Sequence, residues 1–132
     1  MDVLFLDANV LFSAAYKHDA NFLKLWRMRD VRLISSLYAA GEAQRNFKKA
    51  DQHDRLENLL KSVDFVPATA MAPLPEGVDL PAKDAPILIS AIAGGATHLL
   101  TGDTAHFGAY YETAIEGVLI LSPASYFLAR PV

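Results

Sequence analysis

KDAPILISAIAGGATHLLTGD, residues 83–103, reads as a helix, a stop, a strand and then a carboxylate. Asp84 stands where a helix begins, and Pro86 falls in the first turn, where a missing backbone N–H costs nothing. Gly94-Gly95 stops the helix. "THLLT" (97–101) follows as a short apolar strand, and Asp103 comes just after it, behind Gly102. Short, wholly apolar strands alternating with helices indicate a parallel sheet covered on both faces.

The beginning of the chain has the same form. Val3 to Leu6 make an apolar strand that runs into Asp7, with Asn9 two residues on. A helix is expected over about 10–16, with Asp7 or Asn9 placed to cap it. A second helix is expected over 20–29, with Phe22, Leu25 and Trp26 on its apolar side, and a second strand at "VRLISS" (31–36). Ser35 or Ser36 then caps a helix over roughly 37–48, and another helix covers 51–62. "DFVPA" (64–68) is a third strand, and residues 67–82, holding four of the seven prolines, are a loop. "GVLIL" (117–121) is the fifth strand, and "SPASYFLA" (122–129) is a closing helix opened by Ser122 and Pro123. The expected architecture is a single α/β domain, residues 1–132, with about five mainly parallel strands flanked by helices.

Composition narrows the chemistry. With no cysteine, disulfides, thiolate metal sites and cysteine nucleophiles are excluded. The apolar runs are too short for a membrane span and no signal peptide is visible, so a soluble cytoplasmic protein is expected. The net charge of −3 argues against nucleic-acid binding by bulk charge. Yet residues 17–61 hold ten Lys/Arg against six Asp/Glu, so a basic middle sits beside an acidic remainder.

Ligands of parallel α/β sheets sit beyond the carboxyl ends of the strands. Asp7 and Asp103 follow two strands at that edge, and Glu42 lies about two turns into the helix after a third. Asp84 starts a helix that should lead away from the opposite edge. It joins the others only if residues 79–84 run up beside the active edge. Taken singly, Asp7 and Asp84 also read as helix caps, Glu42 as a solvated helix residue and Asp103 as a turn aspartate. Taken together, the carboxylates repel one another unless a cation sits among them, and oxygen ligands suit Mg²⁺ or Mn²⁺. Such ions can activate a water and stabilise the leaving oxygen of a phosphodiester. His106, three residues after Asp103, can reach the site. His18 and His53 read as surface residues and His98 as a structural one. "GGATHLLTGD" lacks the lysine and spacing of a phosphate-binding loop.

"LFLDANVLFSA", "ISSLYAAGE", "KDAPILISAIAGGATHLLTGDTAHF" and "VLILSPASYFL" together, in this order and spacing, resemble the PIN-domain family over residues 1 to about 128. The resemblance implies a three-layer fold and metal-dependent cleavage of RNA. Carried over by position, it implies Asp7, Glu42, Asp84 and Asp103 as metal-binding, catalytic acids, with Asn9 and Thr101 as polar support. It also implies a VapC-like toxin of a bacterial toxin–antitoxin pair, a homodimer held inactive by a small antitoxin. Where many members carry a further acid, this chain has His106. The substrate strand needs positive charge near the acids, and Arg45 and Lys49, at i and i+4 on the helix carrying Glu42, are the expected RNA contacts, with Lys24, Arg27 and Lys83 next.

Three rivals differ at definable residues. A haloacid-dehalogenase-type phosphatase needs an aspartate where this chain has Asn9. A phospho-receiver domain needs an aspartate after the third strand and a lysine after the fifth, and "DFVPA" and "VLILSP" supply neither. A catalytically idle PIN-like module binding RNA or protein would not need a complete set of acids.

Overall fold

The computed structural model describes residues 1–67 and 72–130. β1 (Asp2–Leu6) lies inside the sheet, and its Leu4, Phe5 and Leu6 are fully buried. Successive side chains of a strand point to opposite faces, so burial of all three means that both faces are covered. The chain continues through α1 (Ala8–Ala15), α2 (Lys24–Arg27), β2 (Val31–Ser35), α3 (Leu37–Asn46), α4 (Ala50–Leu60) and β3 (Asp64–Phe65). Then come α5 (Ala85–Ala93), β4 (His98–Leu100), α6 (Thr104–Phe107), β5 (Thr113–Ile115), β6 (Val118–Leu121) and α7 (Pro123–Ala129). The strand order is β3-β2-β1-β4-β6-β5, parallel throughout except that β5 runs antiparallel to β6.

The expected five strands are therefore six. β5 is short, and it is joined to β6 by a two-residue turn at Glu116 and Gly117, with φ of 50° and 82°. Positive φ at both positions gives the hairpin turn whose twist matches paired strands, and Gly117 adopts it without strain. Glutamate is a poor marker for the first position of such a turn, so the sequence pattern hid the strand.

Two expected helices are also shorter. The helix expected over 20–29 is a 3₁₀ turn, Asn21–Leu23, followed by the four residues of α2; Met28 is already extended, leading to β2. The helix expected to continue through Lys48 and Lys49 ends at Asn46. Phe47 leaves it in extended conformation and buries its ring on Phe12, centroids 4.6 Å apart. Burying that ring outweighs another turn of exposed helix. The loop expected over 67–82 and the end of the third strand lie partly outside the described residues.

Polar side chains close the framework where helices end. Arg55 donates to the carbonyls of Ala15 and Tyr16 at 3.0 Å each, satisfying the end of α1. Tyr126 and Arg130 both donate to Asp2 Oδ2, at 2.7 and 2.8 Å, tying the C-terminal helix to the first strand. Gly94, at the end of α5, touches the sheet closely enough that a Cβ there would lie 2.6 Å from Val66 Cγ2 and 3.1 Å from Ile34 Cδ1. Gly94→Ala is expected to destabilise the fold by about 1–3 kcal/mol through overpacking, read as a lower urea midpoint at unchanged slope.

Candidate metal centre

The strand order reverses between β1 and β4, whose onward connections leave to opposite sides, and such a switch point opens a crevice at the carboxyl edge. Asp7 follows β1 there, and Thr101, Gly102 and Asp103 follow β4. The two ends are laced together. Thr101 Oγ1 donates to Asp7 Oδ2 at 2.8 Å and accepts from the Asp103 amide at 3.1 Å. Asn9 Oδ1 accepts from the Gly102 amide at 2.7 Å, while its Nδ2 lies 3.3 Å from Asp7 Oδ2. Asp7 also caps α1, accepting from the Ala8 amide at 2.7 Å. The cap and the site acid are thus one residue. Burial pushes the Asp7 carboxyl up to about 6, the charges of Asp84 and Glu42 push the same way, and the Thr101 and Ala8 hydrogen bonds oppose them.

Asp84 reaches this edge because the segment before it is pinned there. Tyr110 Oη accepts from the Asp79 amide at 2.7 Å, and Tyr38 donates to the Lys83 carbonyl at 2.7 Å. A turn with the Pro81 carbonyl accepting from the Asp84 and Ala85 amides then starts α5. The conflict over which edge Asp84 occupies is resolved: it lines one cleft of about 470 Å³ with Asp7, Glu42, Asp103, Asn9 and Lys83. Asp84 starts the helix without a side-chain capping bond. Its carboxyl is raised above the usual range, by burial first and by Asp103 second, with His106 and Lys83 opposing.

His106 closes the cluster. Asp103 Oδ1 accepts from its backbone amide at 3.2 Å, and the ring Nδ1 lies 2.8 Å from Asp103 Oδ2 and 3.0 Å from Asp84 Oδ2. One ring N–H cannot serve two carboxylates. The bond is made to Asp103, and Asp84 Oδ2 is left buried with no hydrogen-bond donor among the described residues. An uncompensated buried carboxylate oxygen is costly unless a cation reaches it. Donor atoms of Asp84, Asp103 and His106 all lie within 4.8 Å of one another. The residues present therefore fit a divalent cation, with Asp7 and Glu42 on the same cleft wall and Asn9 and Thr101 bonded to Asp7.

The basic track is not as expected. Arg45 is exposed on the last turn of α3, but Lys49 belongs to the start of α4, so the two do not share a helix face. Lys83 is the cation that lines the cleft among the described residues, and Asn46 lines it too. Asn46 was legible in principle, four residues after Glu42 on one helix face. Lys83 carried no signal beyond its place before Asp84. Of the other histidines, His18 is exposed, and His98 is held by Thr97 and packs edge-on to Tyr126. His53 is half-buried at the surface, and its ring nitrogens pair with Gln44 Oε1 at 2.6 Å and the Phe47 carbonyl at 3.1 Å.

A scan against protein-family models matches nothing, and a search of the curated proteins matches nothing. Solved structures do match. A chain of the crystal structure of VapBC2 from Rickettsia felis bound to a DNA fragment from their promoter superposes with a TM-score of 0.63 at 17% identity, covering 91% of this chain and 98% of that one. A chain of VapBC-1 from nontypeable Haemophilus influenzae gives 0.58 at 15%, covering 92% and 98%. The fold is the PIN-domain fold. The PIN fold explains why the acids meet: its sheet order sets β1 beside β4, and its crossover brings the start of α5 to the same edge. No helix among the described residues is long and apolar enough to cross a membrane.

Proposed function

We propose that this chain is a metal-dependent endoribonuclease of the cytoplasm, the toxin of a toxin–antitoxin pair. The observation that carries the reading is the convergence of four acids on one cleft, with a buried Asp84 oxygen that no donor satisfies. Asp84 and Asp103 would hold the ion, with Asp7 and Glu42 completing the set. A Mg²⁺ or Mn²⁺ held by these acids would offset their clustered charge and would supply the chemistry of a more acidic water and a stabilised leaving oxygen. Thr101 and Asn9 hold the Asp7 carboxylate in place, and Asp103 is fixed by its own amide donating to Thr101 Oγ1 and by the His106 amide donating to its carboxylate. Lys83, on the cleft, would meet an entering phosphate, and Arg45, exposed three residues after Glu42 on α3, would add positive charge beside that path. Water attack breaks the P–O3′ bond, so the products carry a 5′-phosphate and a 3′-hydroxyl.

The test is incubation with labelled RNA and with p-nitrophenyl phosphate, each with Mg²⁺, Mn²⁺ or EDTA. Cleavage of RNA alone, dependent on the ion, is expected. Products ending in 2′,3′-cyclic phosphate would sink the mechanism, and hydrolysis of p-nitrophenyl phosphate would favour a phosphatase. The antitoxin part of the reading is supported by the VapBC complexes in which the matching chains occur. It is tested by co-expression with the product of the adjacent gene, which should abolish toxicity and co-purify.

Charge near the cleft gives a separate expectation. Lys83→Ala with Arg45→Ala should weaken RNA binding and flatten its salt dependence by up to about two phosphate contacts. Lys49→Ala, on the next helix, should do less. An unchanged salt slope in the double variant would move the RNA path elsewhere.

A further inference from the structure

We propose that His106 Nδ1 is itself a metal ligand, and that the centre therefore takes a first-row transition dication such as Mn²⁺ in preference to Mg²⁺. The inference rests on the metal-site reading above and narrows it to one class of ion.

Spacing is the first reason. Nδ1 stands 2.8 Å from Asp103 Oδ2 and 3.0 Å from Asp84 Oδ2. Ligand atoms at right angles around an ion, with bonds of about 2.0–2.1 Å, are themselves about 2.9–3.0 Å apart. Nδ1 thus already stands from each carboxylate oxygen at about the separation of neighbouring corners of a coordination shell, and all three donor atoms lie within 4.8 Å of one another. The second reason is the buried oxygen left without a partner. Asp84 is only 8% exposed, and its Oδ2, turned to this nitrogen, has no hydrogen-bond donor among the described residues.

The ring is also held by the fold. Asp103 caps α6 through the His106 amide, which sets the imidazole back over the capping carboxylate, and the next residue, Phe107, is fully buried. A ring meant only for solvent would not need that anchorage. The chemistry then decides the ion. Mg²⁺ is hard, prefers oxygen and keeps its waters, so an imidazole nitrogen in its shell is a poor exchange. Affinity for nitrogen ligands rises along the first-row series from Mn²⁺ onward. A His at this corner thus biases the cleft against the more abundant ion.

The experiment uses the full chain, stripped with EDTA and loaded with Mn²⁺. Electron spin-echo modulation should show nitrogen coupling from one bound imidazole, and His106→Ala should lose it. Equilibrium titration should show Mn²⁺ bound more tightly than Mg²⁺, with the ratio falling at least about tenfold in His106→Asp, which replaces the nitrogen donor with a carboxylate oxygen. Mn²⁺ bound without nitrogen coupling, or an unchanged ratio in His106→Asp, overturns the proposal and leaves the metal site standing. No saturable Mn²⁺ binding in the wild-type chain overturns both. The spectrum of the wild-type protein decides the point even if a variant misfolds.

Discussion

Asp7→Asn and Asp103→Asn each should lower RNA cleavage by at least about 100-fold, more than the loss of a supporting residue costs, while the protein stays folded. The two halves of this result have different causes. Activity falls because a neutral amide neither compensates a cation nor holds it. The fold survives because each asparagine keeps the capping acceptor: Oδ1 at position 7 still faces the Ala8 amide, and Oδ1 at 103 the His106 amide. At position 7 a buried charge is also removed from beside Asp84 and Glu42. The amide must face Thr101 and Asn9, which donate to Asp7 in the wild type, so only part of that relief is recovered. Cleavage of labelled RNA and thermal melts in EDTA measure the two halves. A melting temperature well below wild type in both variants would mean that these acids serve the fold and not a reaction.

Metal-free stability should fall as pH rises from about 4 to about 6. Asp7 has a folded-state value of about 6 against the ordinary 3.8, so in that window the folded protein holds a proton that the unfolded chain has lost. The stabilisation is fully present below about 4 and gone above about 6; the shift corresponds to about 3 kcal/mol. For a chain of this length that is about 10 °C in melting temperature. Asp7→Asn should remove most of the slope, which separates this residue from other titrating groups. Mg²⁺ or Mn²⁺ should raise the melting temperature at pH 7.5, where it meets ionised carboxylates, and do little at pH 4.5. Equal slopes in wild type and variant would remove Asp7 from the account.

Strand and helix identity was legible because it is written locally. Val3 to Leu6 and Leu99-Leu100 are apolar runs bounded by breakers, and Ser36, Pro86 and Ser122 mark helix starts where the structure has them. The acids at the ends of β1 and β4 could be placed on one edge, since a parallel sheet aligns the carboxyl ends of its strands. What the sequence left open depended on contacts distant along the chain. Whether Asp84 joined Asp7 was decided by Tyr38 and Tyr110 holding residues 79–83, bonds that span 45 and 31 positions. Helix α3 stopped at Asn46 because Phe47 found the Phe12 ring, so Lys49 left the face shared by Glu42 and Arg45. β5 exists because β6 is there to pair with it. The His106 ring became part of the cluster only when Asp84 arrived from another loop, leaving one nitrogen between two carboxylates. Periodicity and capping act over a few residues; burial and side-chain pairing act between segments that meet only in the folded chain.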